Sequence, residues 1–268
     1  MASDARAESA EFDSSKAYKN WEVEGKFFGD GREVALLEYM HSHPELEQLR
    51  GNPRRVLEAI DTFAQSVTGL INIGETKGTV VCDVIAQHKP STVLELGGYI
   101  GYSAIMFGDA LKQAGGKRYF SVEKSPLFAA VATSLVDLAG LRDTVRVVVG
   151  TGAEGIRRLH DEGALGGRID MTFFDHHKPS YTADLKLCER LGLIGKGTVL
   201  VADNMILPGN PPYAEWVRAS TAEKRELDRV AAEKGNPNLL YHSRSVTSFE
   251  PSGQEDAVEI TECTGIGA

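Results

Sequence analysis

From about residue 91 onward the chain alternates between short apolar runs and longer amphipathic stretches, and this rhythm narrows the possible folds most sharply. The runs are STVLEL, RYFSVE, TVRVVVG, IDMTFFD and GTVLVAD. Each is nearly all apolar and bounded by glycine, proline or an acid, which is how parallel strands covered on both faces read. Between them, residues 101–114, 126–139 and 181–193 carry helical spacing. Strand and helix in alternation predict an α/β doubly wound sheet with helices on both faces. Two further runs, NLLYHSRSVTSF and AVEITEC, are joined by the turn-forming EPSGQED with no helix long enough for a crossover. They predict an antiparallel C-terminal edge pair, making a seven-stranded, mostly parallel sheet.

Ahead of the sheet, Val34, Leu36, Leu37, Tyr39 and Met40 suggest an amphipathic helix closed by His43-Pro44. Another starts at Pro53, with Val56, Leu57, Ile60, Phe63 and Val67 near helical spacing. Residues 1–20 are small, polar and charged, and predict a mobile arm. Residues 21–268 then form one domain, with helices over 21–90 and the sheet core over 91–268, since 268 residues at 42% hydrophobic content can bury one substantial core.

The formal charge of −9 repels polyanions, so no nucleic acid and no membrane surface is expected as partner; a small molecule is. Cys82, Cys188 and Cys263 are widely spaced, which suggests neither a disulfide framework nor a thiolate zinc site. Without an apolar leader or a run of about 18 apolar residues, a cytoplasmic protein is expected, as a monomer or weak homo-oligomer.

In an open α/β sheet the ligand lies beyond the carboxyl ends of the strands, where strand order reverses. The first run leads into ELGGYIGYS, with Gly97, Gly98 and Gly101 allowing a tight turn before a helix that starts near Ser103. Glu95 is an acid inside an apolar strand, and Glu123, at the end of the second strand, can accept both hydroxyls of a ribose. A hydride-transfer enzyme usually shows G-x-G-x-x-G instead, so this loop argues against a nicotinamide-dependent oxidoreductase. An acid before the loop and a hydroxyl after it suit the ammonium and carboxylate of an amino-acid-bearing nucleoside, as in S-adenosylmethionine.

The fourth and fifth strands end in Asp175 and in Asp203-Asn204. Two converging carboxylates resist joint ionisation unless a cation lies between them, and all-oxygen ligation favours Mg²⁺ over zinc. Lys178, three residues beyond Asp175, faces the same space and is the candidate general base. In FFDHHKPS the adjacent His176 and His177 lack metal-ligand spacing; one is expected at the cofactor edge and the other as a substrate wall.

These residues bring out a resemblance. Over about residues 29–220 the motifs VLEAIDTF, NIGETKG, VLELGGYIGYSA, DMTFFDHHK, LCERLGLIGKGTVLVADN and the PG at 208–209 resemble the catechol O-methyltransferase family, with its Rossmann-like class I methyltransferase fold. The resemblance implies S-adenosylmethionine and Mg²⁺ as cofactors, metal ligation by Asp175, Asp203 and Asn204, and Lys178 as base. It places the cofactor against Asn72, Ile73, Gly97, Tyr99 and Ser103, with Glu95 near its amino-acid end, Glu123 on the ribose, His176 beside the adenosine and Asp175 at its boundary. His177, Lys178, Asn204 and Pro208 would meet a catechol-type substrate.

Several positions depart from the family pattern. Gly69 and His177 stand where tryptophans are expected, Ile71 replaces a methionine, Lys124 an apolar residue and Ala153 a glutamine. These changes predict a wider, more polar mouth and admit a larger or more polar phenolic acceptor. Glu250 is a loose candidate for the family's C-terminal catechol-binding glutamate. A cofactor-binding protein without turnover is the remaining alternative, opposed by the intact Asp175, Lys178, Asp203 and Asn204.

Overall fold

The computed structural model describes residues 12–267. Among them, seven strands form one sheet: β1 (Thr92–Leu96), β2 (Arg118–Glu123), β3 (Val145–Val149), β4 (Met171–Phe174), β5 (Val199–Ala202), β6 (Leu239–Phe249) and β7 (Glu255–Ile266). Their order is β3-β2-β1-β4-β5-β7-β6, with the first five parallel and β7 antiparallel to both its neighbours. The predicted C-terminal edge pair is present, and its later strand is the inner one.

Every residue of β1, β4 and β5 is buried, and alternate side chains enter opposite cores. Val93, Phe173 and Val201 join one core with α1 (Arg32–His41), α3 (Pro53–Ser66), α4 (Gly74–His88), α5 (Tyr102–Gln113) and α6 (Pro126–Leu138). The short α2 (Leu46–Leu49) adds Leu49 to it. Leu94, Phe174 and Leu200 join the other with α7 (Gly152–Asp161), α8 (Tyr181–Arg190) and α9 (Pro211–Arg218). This alternation makes the strands apolar on both faces, each buried large side chain contributing about 1.5–3 kcal/mol. A last helix, α10 (Thr221–Val230), precedes β6.

Local chemistry sets the helix starts. Asn52 accepts the N–H of Arg55 ahead of Pro53, Ser125 that of Phe128 ahead of Pro126, and Thr151 forms a reciprocal box with Glu154. Such caps contribute about 0.5–2 kcal/mol each. No helix among the described residues is long and apolar enough to cross a membrane.

The expected N-terminal arm divides. Residues 1–11 lie outside the described residues, whereas residues 12–20 are docked on the domain. Tyr18 is 6% exposed and its N–H donates to Pro251 O (2.9 Å), while the rings of Phe12 and Phe249 lie 5.8 Å apart. A low apolar content concealed two aromatic anchors, Phe12 and Tyr18, that find partners at Phe249 and Pro251.

Candidate active site

The parallel register brings four strand ends into one row. Leu96 pairs with Val122 and Phe174, and Phe174 with Ala202, so Gly97, Glu123, Asp175 and Asp203 emerge side by side. Strand order reverses at β1 and β4, which opens the crevice there. Gly97 has φ 99°, and a Cβ on it would lie 2.5 Å from the Asp175 carbonyl oxygen, so only glycine lets the two loops meet.

On the β1–β2 side stand the expected cofactor residues. Glu95 is fully buried, and neither carboxylate oxygen has a hydrogen-bond partner among the described residues. Burial pushes its carboxyl up to about 7, offset in part by the facing hydroxyls of Ser103, Ser121 and Tyr119. A buried acid that only neutral hydroxyls face, with no cation beside it among the described residues, is suited to an ammonium group. Glu123 accepts the N–H groups of Tyr99 (2.8 Å) and Ser125 (2.7 Å), and burial raises its carboxyl nonetheless. Tyr99 (φ 41°) also donates its hydroxyl to Glu33 (2.9 Å), which ties the glycine turn to α1. Ser103 is buried in the first turn of α5. Asn72 and Ile73 are buried just ahead of α4, and Asn72 Oδ1 accepts the Gly74 N–H (3.0 Å).

The state of Glu95 gives a pH dependence. Its carboxyl is raised, so the ionised form that a cation requires is present above about 7 and lost below it. Affinity for S-adenosylhomocysteine is therefore expected to fall about tenfold per pH unit below that value and to level off above it. Calorimetric titration between acidic and mildly basic pH checks this; an affinity that does not change across neutrality would remove Glu95 as the ammonium partner.

On the β4–β5 side, Lys178 Nζ donates to Asp175 Oδ1 (2.9 Å) and to the Tyr181 hydroxyl (2.8 Å). Burial lifts Asp175 to about 6, with Lys178 opposing the shift and Asp203 adding to it. His176 donates through Nε2 to Asp184 (2.8 Å) and stacks on Tyr181 at 4.9 Å, and burial disfavours its charged form. His177 is exposed, with Nδ1 3.2 Å from Ser180 Oγ, and Pro208 is exposed in the turn that follows β5. The two adjacent histidines thus diverge, and neither joins the acids of the row.

The sequence did not point to Lys77. This α4 residue is fully buried and its Nζ contacts both oxygens of Asp203 (2.7 and 2.9 Å), Glu250 (2.6 Å) and Asp256 (2.8 Å). Burial alone would neutralise it, yet the three carboxylates outweigh that and hold its charged form. Burial pushes Glu250 up to about 8 despite Lys77, whereas Asp256, also opposed by burial, is held at about 2 by Lys77 and the N–H groups of Leu207 and Ile206. Glu250 therefore lies at the site, 2.7 Å from Asn204 Nδ2. One signal could have found Lys77: it shares a helical face with the buried Val81, Val84 and Ile85.

The donor set fits a hard cation. Asn204, in left-handed conformation (φ 59°, ψ 46°), gives its amide nitrogen to Glu250 Oε1 and Asp256 Oδ2, which directs Oδ1 away from them. Asp175, Asp203 and Asn204 together offer oxygen ligands of the kind Mg²⁺ takes. The three carboxylates around Lys77 also cluster within 4.8 Å of one another, but Lys77 already compensates their charge.

The space beside Gly69 is not open as expected. A Cβ there would lie 3.0 Å from Trp21 Cδ2 and 2.9 Å from Lys19 O, so the docked N-terminal segment covers it.

A sheet of this order, with a glycine turn after β1 and acids at the row of strand ends, is that of the class I methyltransferase fold. The solved O-methyltransferase of Bacillus cereus in complex with SAH shares it, with a TM-score of 0.56, 20% identity and coverage of 86% of this chain and 97% of that one. Residues 94–205 match the methyltransferase domain family. Catechol O-methyltransferase of Mus musculus is 38% identical over 200 residues, 75% of this chain and 73% of the relative. Catechol O-methyltransferase B of Danio rerio is 39% identical over 197 residues, 72% and 74% of the two chains. The chain belongs to the catechol O-methyltransferase family and is an S-adenosylmethionine-dependent O-methyltransferase.

Proposed function

We propose that this enzyme carries a methyl group from S-adenosylmethionine to one hydroxyl of a catechol or related ortho-dihydroxy aromatic, with Mg²⁺ held by Asp175, Asp203 and Asn204. The observation that carries this reading is Lys178 Nζ at 2.9 Å from Asp175, in a row where Asp203 follows the next strand. When bound, the metal supplies Lewis acidity that lowers the pKa of a coordinated phenol. Lys178 takes the phenol proton, and its ammonium is then held by Asp175 and the Tyr181 oxygen. Glu95, Asn72, Ile73, Tyr99, Ser103, Glu123 and His176 orient the donor so that its methyl faces the acceptor oxygen. Glu250 stands across Asn204, where it can accept from the second hydroxyl.

The exposed His177 favours acceptors that carry a polar substituent over the bare ring. Three free cysteines, two of them buried, support a cytoplasmic, reducing setting. Methyl-labelled cofactor incubated with a panel of catechols and monophenols tests the assignment. Transfer is expected to catechols alone, to need added Mg²⁺, and to stop with a chelator and return with excess metal. Chelator-insensitive transfer would exclude the metal role, and no transfer to any catechol would exclude the substrate class.

A further inference from the structure

We infer that Tyr18, in the docked N-terminal segment, is a positioning residue that sets the orientation of the Asn72 amide toward the cofactor. The inference rests on the reading of Asn72 as a cofactor contact given above. Asn72 is 7% exposed, and its Nδ2 has no hydrogen-bond partner among the described residues. Its other end is fixed twice: Oδ1 accepts from the Gly74 N–H (3.0 Å) and from the Tyr18 hydroxyl (3.2 Å). An amide anchored through its oxygen must offer its NH₂ elsewhere, and a buried donor left unmade costs free energy until an acceptor arrives. The class of group it offers itself to is therefore an oxygen acceptor, such as a carboxylate or hydroxyl of the cofactor.

Tyr18 is itself rigidly held. Its hydroxyl also reaches Asp61, its ring stacks on Trp21 at 5.6 Å, and its N–H donates to Pro251 O (2.9 Å). Tyr102 donates to the second oxygen of Asp61 (3.1 Å), and the one proton of the Tyr18 hydroxyl is shared between Asp61 Oδ1 and Asn72 Oδ1 (3.2 Å). Pro251 connects the two halves of the site. A Cβ on Gly74 (φ 68°) would lie 2.4 Å from Pro251 Cγ, and Pro251 follows Glu250 directly. Tyr18 thus touches the loop of Asn72 and the turn of Glu250 where they meet.

Tyr18→Phe, Tyr102→Phe and Asn72→Ala in the full chain separate a positioning role from a merely structural one. Both phenylalanine variants remove a hydroxyl from Asp61, but only Tyr18→Phe also removes one from Asn72. Calorimetry with S-adenosylhomocysteine is expected to show affinity about 5–10-fold weaker for Tyr18→Phe, of the order of one hydrogen bond, and within about twofold of the parent for Tyr102→Phe. Thermal midpoints of the two should be similar. The double variant Tyr18→Phe/Asn72→Ala should bind no more weakly than Asn72→Ala alone. Equal losses in Tyr18→Phe and Tyr102→Phe, or parental affinity in Tyr18→Phe while Asn72→Ala is weakened, would overturn the proposal. Parental affinity in Asn72→Ala would overturn the reading of Asn72, and the proposal with it.

Discussion

Lys178→Ala is expected to lower turnover by about 10²–10⁴-fold, the span that a positioned proton acceptor contributes, while leaving S-adenosylhomocysteine affinity within about twofold. The separation follows from the two sides of the crevice: Lys178 contacts Asp175 and Tyr181, whereas Glu95 and Glu123 lie on the β1–β2 side. Lys178→Arg should not restore the rate, because a guanidinium keeps its proton at any working pH. Single-turnover measurements with saturating cofactor and acceptor isolate the step. A Lys178→Ala rate equal to the parent would remove this residue from proton transfer.

Lys77→Met is expected to destabilise the fold by about 3–5 kcal/mol, since it leaves buried carboxylates without their cation. At roughly 2–4 °C per kcal/mol for a chain of this size, the thermal midpoint should fall by about 10 °C. Asp203, Glu250 and Asp256 place ligand oxygens within 4.8 Å of one another around the lost ammonium, so millimolar Mg²⁺ or Mn²⁺ should recover part of the loss in Lys77→Met and add much less to the parent. Differential scanning calorimetry with and without metal reads both effects. An unchanged midpoint in Lys77→Met would show that the acids do not depend on this lysine.

The sheet was legible because its signal is local. Each strand announces itself by a short apolar run and each crossover by helical spacing, and a parallel order then puts Asp175 beside Asp203 without knowledge of any side-chain contact. Residues with that kind of address, Glu95, Glu123, Asp175 and Asp203, could be located from the chain alone. The burial of Lys77 left a trace in its helical face, but its charge partners could not be found, because they are 126, 173 and 179 residues away and no periodicity joins them. Glu250 was reachable only as a loose match, since its place depends on the turn between β6 and β7. The N-terminal segment misled for a different reason: Tyr18 and Trp21 are two aromatics in a polar stretch, and what docks them is a set of specific hydrogen bonds rather than an apolar stripe.

β7 lies between β5 and β6, and it carries Asp256 and Glu259 near its start. The strand beside the acids that end β4 and β5 is therefore made only after β5 and β6. Until it arrives, β5 has a bare edge, and Lys77 has Asp203 but not Asp256. A nascent chain can thus form the parallel part of the sheet first, and β7 then closes both the hydrogen-bond ladder between β5 and β6 and the charge balance around Lys77.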